Sequence, residues 1–207
     1  MEALMTSAAA APTLQRARAD RPARHAHSRP HGHAWRRLCV AVAWSLLAGG
    51  VEAGQGIDSA YAPMVVQPTG LPDEAEFDLT PALLRAQKEH KPLYVYLGAS
   101  DCPYCQKYEA FLSAHRAELV PQFAPYIVVD LRSKLSYTAK LLHIKAAASS
   151  LPYADFQRSI GDERARMLVY PSVWLFDEKL KPLMQMPAGT GTFQTVDEQL
   201  EILHLVQ

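Results

Sequence analysis

Two cysteines three positions apart, Cys102 and Cys105 with Pro103 and Tyr104 between them, are the residues of this chain best suited to chemistry. A third, Cys39, lies in an apolar stretch near the N-terminus, so a chain trimmed behind that stretch keeps the pair alone. Thiols at this spacing can close into a disulfide, reopen, or hold a soft metal ion. A structural staple is the weaker reading, because a body of this length buries a core without disulfides and stapled scaffolds carry more cysteines. Zinc is weaker too: the body offers no second cysteine pair and no His-x-x-x-His run to complete four ligands. Copper(I) suits two thiolates, but no motif places the histidine or methionine that would join them. Redox exchange is therefore the favoured chemistry, and a copper-carrying role is the alternative.

The dithiol needs a support, and the flanking sequence supplies one. Residues 93–97 (LYVYL) form a continuous apolar run between Pro92 and Gly98, the pattern of a strand buried on both faces. From Pro103 onward, Tyr104, Tyr108, Phe111 and Leu112 recur at helical spacing to about Ala117. The pair thus falls where a strand hands over to a helix N-terminus. There the unpaired N–H groups and the helix dipole favour a thiolate, and the exposed first cysteine of such motifs drops from ~8.5 to between ~7 and ~3.5. Cys102 is the expected nucleophile and Cys105 the resolving thiol. Asp101, beside Cys102, sets a carboxylate where it should raise the Cys102 pKa.

The segment KPLYVYLGASDCPYCQKYEAFL, residues 91–112, resembles the strand, active-site turn and helix of thioredoxin-family proteins. Tyr170-Pro171-Ser172 followed by VWLF resembles their cis-proline strand. The resemblance covers most of residues 82–205. It implies an α/β, thioredoxin-like fold with a central four- or five-stranded mixed sheet flanked by helices. It also implies a cis Pro171 beside the sulfurs, and a Tyr170 whose backbone meets the substrate. Tyr104 is the aromatic expected to be exposed and to shape access to Cys102, so Tyr104, Tyr170 and Pro171 are the expected substrate contacts. Three departures stand out. The Pro103-Tyr104 dipeptide resembles that of glutaredoxins, Asp101 replaces a tryptophan, and Tyr96 stands where thioredoxins keep a buried acid. Proton transfer to Cys105 must then use water or another group.

Other elements follow from pattern. Thr80 with Pro81 reads as the cap and first turn of a short helix. Residues 126–130 and 172–176 read as strands, the latter pairing with 182–186 as a hairpin. Residues 195–207 read as an amphipathic helix with a Thr195/Glu198 capping box. Trp174, Phe176 and Met184 are expected to be core or edge residues. Between the second and third strands, residues 131–170 read as a helical insertion before the cis-proline strand, with helices at 135–148, 153–160 and 162–168. Specificity is expected to reside there.

Charge divides the 207 residues near position 53. Seven of the 21 basic residues precede it, all arginine, against Glu2, Asp20 and Glu52, which leaves 14 Lys and Arg facing 18 Asp and Glu behind it. A mildly acidic body excludes nucleic acid as the expected partner. The basic pair Arg36-Arg37, the apolar run 38–48 and the small residues Val51 and Ala53 follow the plan of a secretory signal peptide. That run is well short of the ~20 residues that span a bilayer, so cleavage rather than anchoring is expected. The arginine-rich character also suits a mitochondrial presequence, the alternative destination, and the His25, His27, His31, His33 cluster reads as incidental composition.

The expected organisation is a leader at 1–53, a linker or arm at 54–78 and a thioredoxin-like domain at 79–207. The expected function is an exported, periplasmic thiol-disulfide oxidoreductase, inclining to reductase. It would act on protein thiols and disulfides with no cofactor beyond its own Cys102-Cys105 pair, and would exchange electrons with a membrane partner without itself spanning the membrane. A thioredoxin-fold copper chaperone or assembly factor is the second reading. A scaffold presenting the insertion as an interaction surface is the third.

Overall fold

The computed structural model describes residues 56–70, 74–162, 167–185 and 195–204. The leader at 1–53, with its histidine cluster and Cys39, lies outside the described residues, as do Met186 and residues 205–207. The strands are β1 (Met64–Val66), β2 (Ala75–Asp78), β3 (Leu93–Ala99), β4 (Ile127–Ser133), β5 (Leu142–Ala146), β6 (Ser149–Pro152), β7 (Ser172–Phe176) and β8 (Pro182–Gln185). The helices are α1 (Thr80–Glu89), α2 (Pro103–Ala114), α3 (Arg116–Phe123), α4 (Tyr153–Ser159) and α5 (Val196–His204).

β3 is apolar throughout because it feeds two cores. Its residues alternate, as strand geometry requires. Leu93, Val95 and Leu97 pack with Phe77, Leu83, Ile127, Val129, Phe156 and Trp174 on one face. Tyr94 and Tyr96 pack with Tyr108, Leu112, Leu119, Phe123 and Leu203 on the other. The sheet around it runs β1-β4-β3-β7-β8. β4 lies parallel to both β1 and β3, whereas β7 is antiparallel to β3 and β8 to β7. The tyrosines on the second face keep their hydroxyls satisfied. Tyr94 bonds to Tyr108, Tyr108 donates to Gln199 Oε1 at 2.6 Å, and Tyr126 donates to the Leu203 carbonyl at 2.6 Å, which fastens α5 to this face. At the start of α5 the Glu198 N–H donates to Thr195 Oγ1 at 3.3 Å.

Several expectations are corrected. The span 135–148 is not a helix. Leu142 and Ile144 are buried while His143 and Lys145 are only half-buried, a period of two, and β5 hairpins to β6 through Ala147 at φ 53°. The alanine-rich run favours helix locally, but parallel pairing with β2 places Leu142 and Ile144 in the core and overrides that propensity. The insertion is thus a β-hairpin followed by α4; Asp162, Met167 and Leu168 are not helical, and residues 163–166 lie outside the described ones.

Second, much of 54–78 is structured. It supplies the 3-10 turn Ser59–Tyr61, the edge strand β1 and the strand β2 of the second sheet, ordered β2-β5-β6. Third, the α1 cap is Leu79, with no side-chain bond of its own, and Asp78 Oδ1 accepts the Thr80 N–H at 2.8 Å. The helix after the dithiol also stops at Ala114, and α3, with Pro121 inside it, continues separately.

Candidate functional site

Cys102 is the N-cap of α2, at φ −99° and ψ 114°, with Pro103 in the first turn where its missing N–H costs nothing. Its sulfur accepts the Cys105 N–H at 3.2 Å, filling the role an N-cap oxygen usually plays. Across from it, the Tyr170–Pro171 peptide bond is cis. This bond turns the Tyr170 carbonyl toward the sulfur, which lies 3.9 Å from it. The Ala99 N–H donates to Cys105 Sγ at 3.4 Å, tying the end of β3 to the second cysteine. Both thiols are free. Cys105 is fully buried, and Cys102, expected to be exposed, is only 2 % accessible because Tyr170 packs with Ala99 over the pair.

Tyr104 is exposed at 58 % on the first turn of α2. Asp101 Oδ1 accepts the Leu135 N–H at 2.8 Å and so holds the loop after β4 beside the dithiol turn. Leu135 is itself 50 % exposed. The Tyr170 hydroxyl bonds to Ser133 at the end of β4, and burial pushes its pKa up. The structure therefore brings Asp101, Cys102, Cys105, Tyr170 and Pro171 together, with Tyr104 at the rim.

Behind Cys105 stands a polar cluster that sequence reading missed. The Tyr96 hydroxyl lies near Cys105, beside Gly98 and next to the Ala99 N–H that holds the sulfur, and donates to Glu109 Oε1 at 2.9 Å. Glu109 Oε2 accepts the Gly56 N–H at 2.9 Å. Next to it Asp130, fully buried, accepts the Ile57 N–H at 2.9 Å and pairs with Arg132 at 2.8 Å. Burial pushes the Cys105 thiol well above its ordinary value, and hydrogen bonding to Cys102 adds to the rise. It raises Glu109 as well, against the pull of Tyr96, Gly56 and Arg132. Asp130 is raised by burial to about 6, with Arg132 and Ile57 opposing. Two signals in the sequence point to these residues. Glu109 stands four positions after Cys105, on the same helix face, and Asp130 interrupts an apolar strand.

No protein-family model and no curated protein matches the chain. Solved structures overlap it loosely. An exposed lipoprotein thioredoxin of Streptococcus pneumoniae is 16 % identical with a TM-score of 0.33, covering 57 % of this chain and 87 % of that one. A thioredoxin-fold protein of Helicobacter pylori is 14 % identical with a TM-score of 0.37, covering 76 % and 78 %. A DsbE-type thiol:disulfide interchange protein of Chlorobium tepidum is 16 % identical with a TM-score of 0.33, covering 59 % and 85 %. These overlaps are too loose to add to what the chain itself displays. Its strand order, its strand–dithiol–helix handover and its cis-proline strand make the fold thioredoxin-like.

Proposed function

We propose that this protein is an exported thiol-disulfide oxidoreductase that acts on protein disulfides through Cys102 and Cys105. One observation carries the reading: the Cys102 sulfur caps α2, accepting the Cys105 N–H at 3.2 Å, and faces the carbonyl before a cis proline at 3.9 Å. A thiolate formed there is stabilised by the helix N-terminus, and an extended substrate segment can lie along the Tyr170 backbone. Attack by Cys102 on a substrate disulfide forms a mixed disulfide and expels one substrate thiolate. Cys105 then attacks Cys102, releases the second substrate thiol and leaves the pair oxidised. The pair is its own redox group, recharged by an external dithiol, and the leader at 1–53 supports an exported location. Among the described residues no helix is long and apolar enough to cross a membrane.

Removing the resolving thiol tests this directly. Cys105→Ala in cells should accumulate a mixed disulfide between Cys102 and its natural substrate, and Cys102→Ser should accumulate none. If the Cys105→Ala protein carries no reducible adduct, the nucleophile assignment fails. A redox potential near about −270 mV would support the reductase direction, and one near about −120 mV would reverse it. Tight stoichiometric Cu(I) binding without reduction of a test protein disulfide would replace the enzyme reading with that of a metal carrier.

A further inference from the structure

Cys105 must lose a proton when it attacks, yet it is fully buried and burial holds its thiol protonated. The group that takes this proton has to reach the sulfur from inside the fold. The Tyr96 hydroxyl stands on that inner side, beside Gly98 and next to the Ala99 N–H that donates to Cys105 Sγ at 3.4 Å, and it donates to Glu109 Oε1 at 2.9 Å. Glu109 receives donors on both oxygens, Tyr96 on Oε1 and the Gly56 N–H on Oε2, the arrangement an ionised carboxylate requires. It also lines a cleft of about 790 Å³ between α2 and the N-terminal arm, with Gly56, Asp58, Gln106, Arg116 and Arg132. Glu109 therefore meets the phenol on one side and the cleft on the other. Gly98 makes the phenol's place: a Cβ there would lie 2.6 Å from the Tyr96 hydroxyl.

We propose that Tyr96 and Glu109 form a proton path that deprotonates Cys105 during release of the mixed disulfide. The proposal rests on the dithiol-exchange reading above. As Cys105 Sγ forms its bond to Cys102 Sγ, the bond from Cys102 to the substrate sulfur breaks, and the electron pair leaves with that sulfur, which takes a proton from water. The Cys105 proton passes to the Tyr96 oxygen while the Tyr96 proton passes to Glu109 Oε1, and Glu109 then delivers a proton to the cleft. Cys102 and Cys105 lose two electrons between them and the substrate disulfide gains two. The two proton shifts occur together, because burial makes a free tyrosinate costly. Tyr96, which takes the proton from the reacting sulfur, is the catalytic member; Glu109, acting through it, is the positioning one.

The groups facing Glu109 set its proton affinity. Tyr96 comes from β3, Asp130 and Arg132 from β4, Cys105 from α2 itself and the Gly56 N–H from the arm. Asp58 and Arg116 line the same cleft farther out. Burial raises the proton affinity of the carboxyl, which makes the transfer less uphill, and Arg132 opposes that rise.

The test follows the reduced full-length protein mixed rapidly with dithiobis-nitrobenzoate. Attack by Cys102 releases one thionitrobenzoate in a concentration-dependent phase, and attack by Cys105 releases the second in a concentration-independent one. With Glu109→Gln the second phase should slow at least about tenfold near neutral pH and recover as pH rises, while the first changes less than about twofold. Tyr96→Phe should do the same, and Glu109→Asp should restore part of the rate. An unchanged second-phase pH profile in the foldable member of the pair Glu109→Gln and Tyr96→Phe overturns the proton path while leaving the dithiol reading intact. A wild-type protein that releases no second thionitrobenzoate overturns the dithiol reading, and the path with it.

Discussion

The two sulfurs of one short motif sit in opposite surroundings. Cys102 lies beneath a rim of apolar and backbone groups: exposed Tyr104, the Tyr170 carbonyl before the cis proline, and Leu135 tethered to Asp101. Cys105 lies over a buried polar cluster of Tyr96, Glu109, Asp130 and Arg132, whose two carboxylates accept the N–H groups of Gly56 and Ile57. The rim has surface without buried charge, and the cluster has buried charge with little surface. The rim suits recognition of a partner chain. The cluster suits control of a proton and carries a cost in stability, since ionised groups in a low-dielectric interior are disfavoured unless well paired.

That cost gives the largest effect expected. Asp130 titrates at about 6 in the fold against an ordinary 3.8. A carboxyl raised by folding binds more protons in the native state than in the unfolded one. Its contribution is therefore fully present below the unfolded value and is lost as pH climbs through the folded one. Between about pH 4 and pH 7 the loss is of order 3 kcal/mol, roughly two pH units at 1.36 kcal/mol each. Glu109, raised in the same direction, adds to it. Urea unfolding across this range should show stability falling with pH, with a shallower slope in Asp130→Asn. Equal slopes in the two proteins would mean that the cluster does not hold its protons as described.

Next in size is Gly98→Ala. An added Cβ would lie 2.5 Å from the Tyr96 ring, where the phenol fills the space between β3 and Cys105. Something must shift, and overpacking of this kind costs about 1–3 kcal/mol. Thermal unfolding should register that loss, and an unperturbed melting temperature would mean that the phenol has room to move. At the other sulfur the smallest stability effect is expected. Tyr104→Ala removes an exposed side chain and should change stability by less than about 0.5 kcal/mol while lowering kcat/KM for a protein disulfide. Unaltered kinetics with both a protein and a small disulfide would remove Tyr104 from the recognition rim and weaken the contrast between the two sides.

Local pattern made the dithiol and its mounting legible. A continuous apolar run, a glycine, two cysteines and a helical repeat read as strand, turn and helix because each element's signal is carried by neighbouring residues. β7 was readable at its full length for the same reason. The hairpin of β5 and β6 was not, because its partner β2, where Ala75 pairs with Leu142, is a distant strand of four residues whose alternation is too brief to read as a strand alone. The cluster behind Cys105 was half visible. Tyr96 stood out as a departure, but Glu109 looked like one more polar residue on a helix.

What the sequence determined by itself, then, is the dithiol and its mounting: Cys102 at a helix start, with Tyr170 and Pro171 later in the chain. Only the tertiary structure decided what surrounds each sulfur. Burial brought Tyr96 from β3, Glu109 from α2 and Asp130 from β4 to one point and left the arm to close it. Long-range pairing is where that information lives, because a side chain's charge, exposure and partners depend on which distant segment covers it.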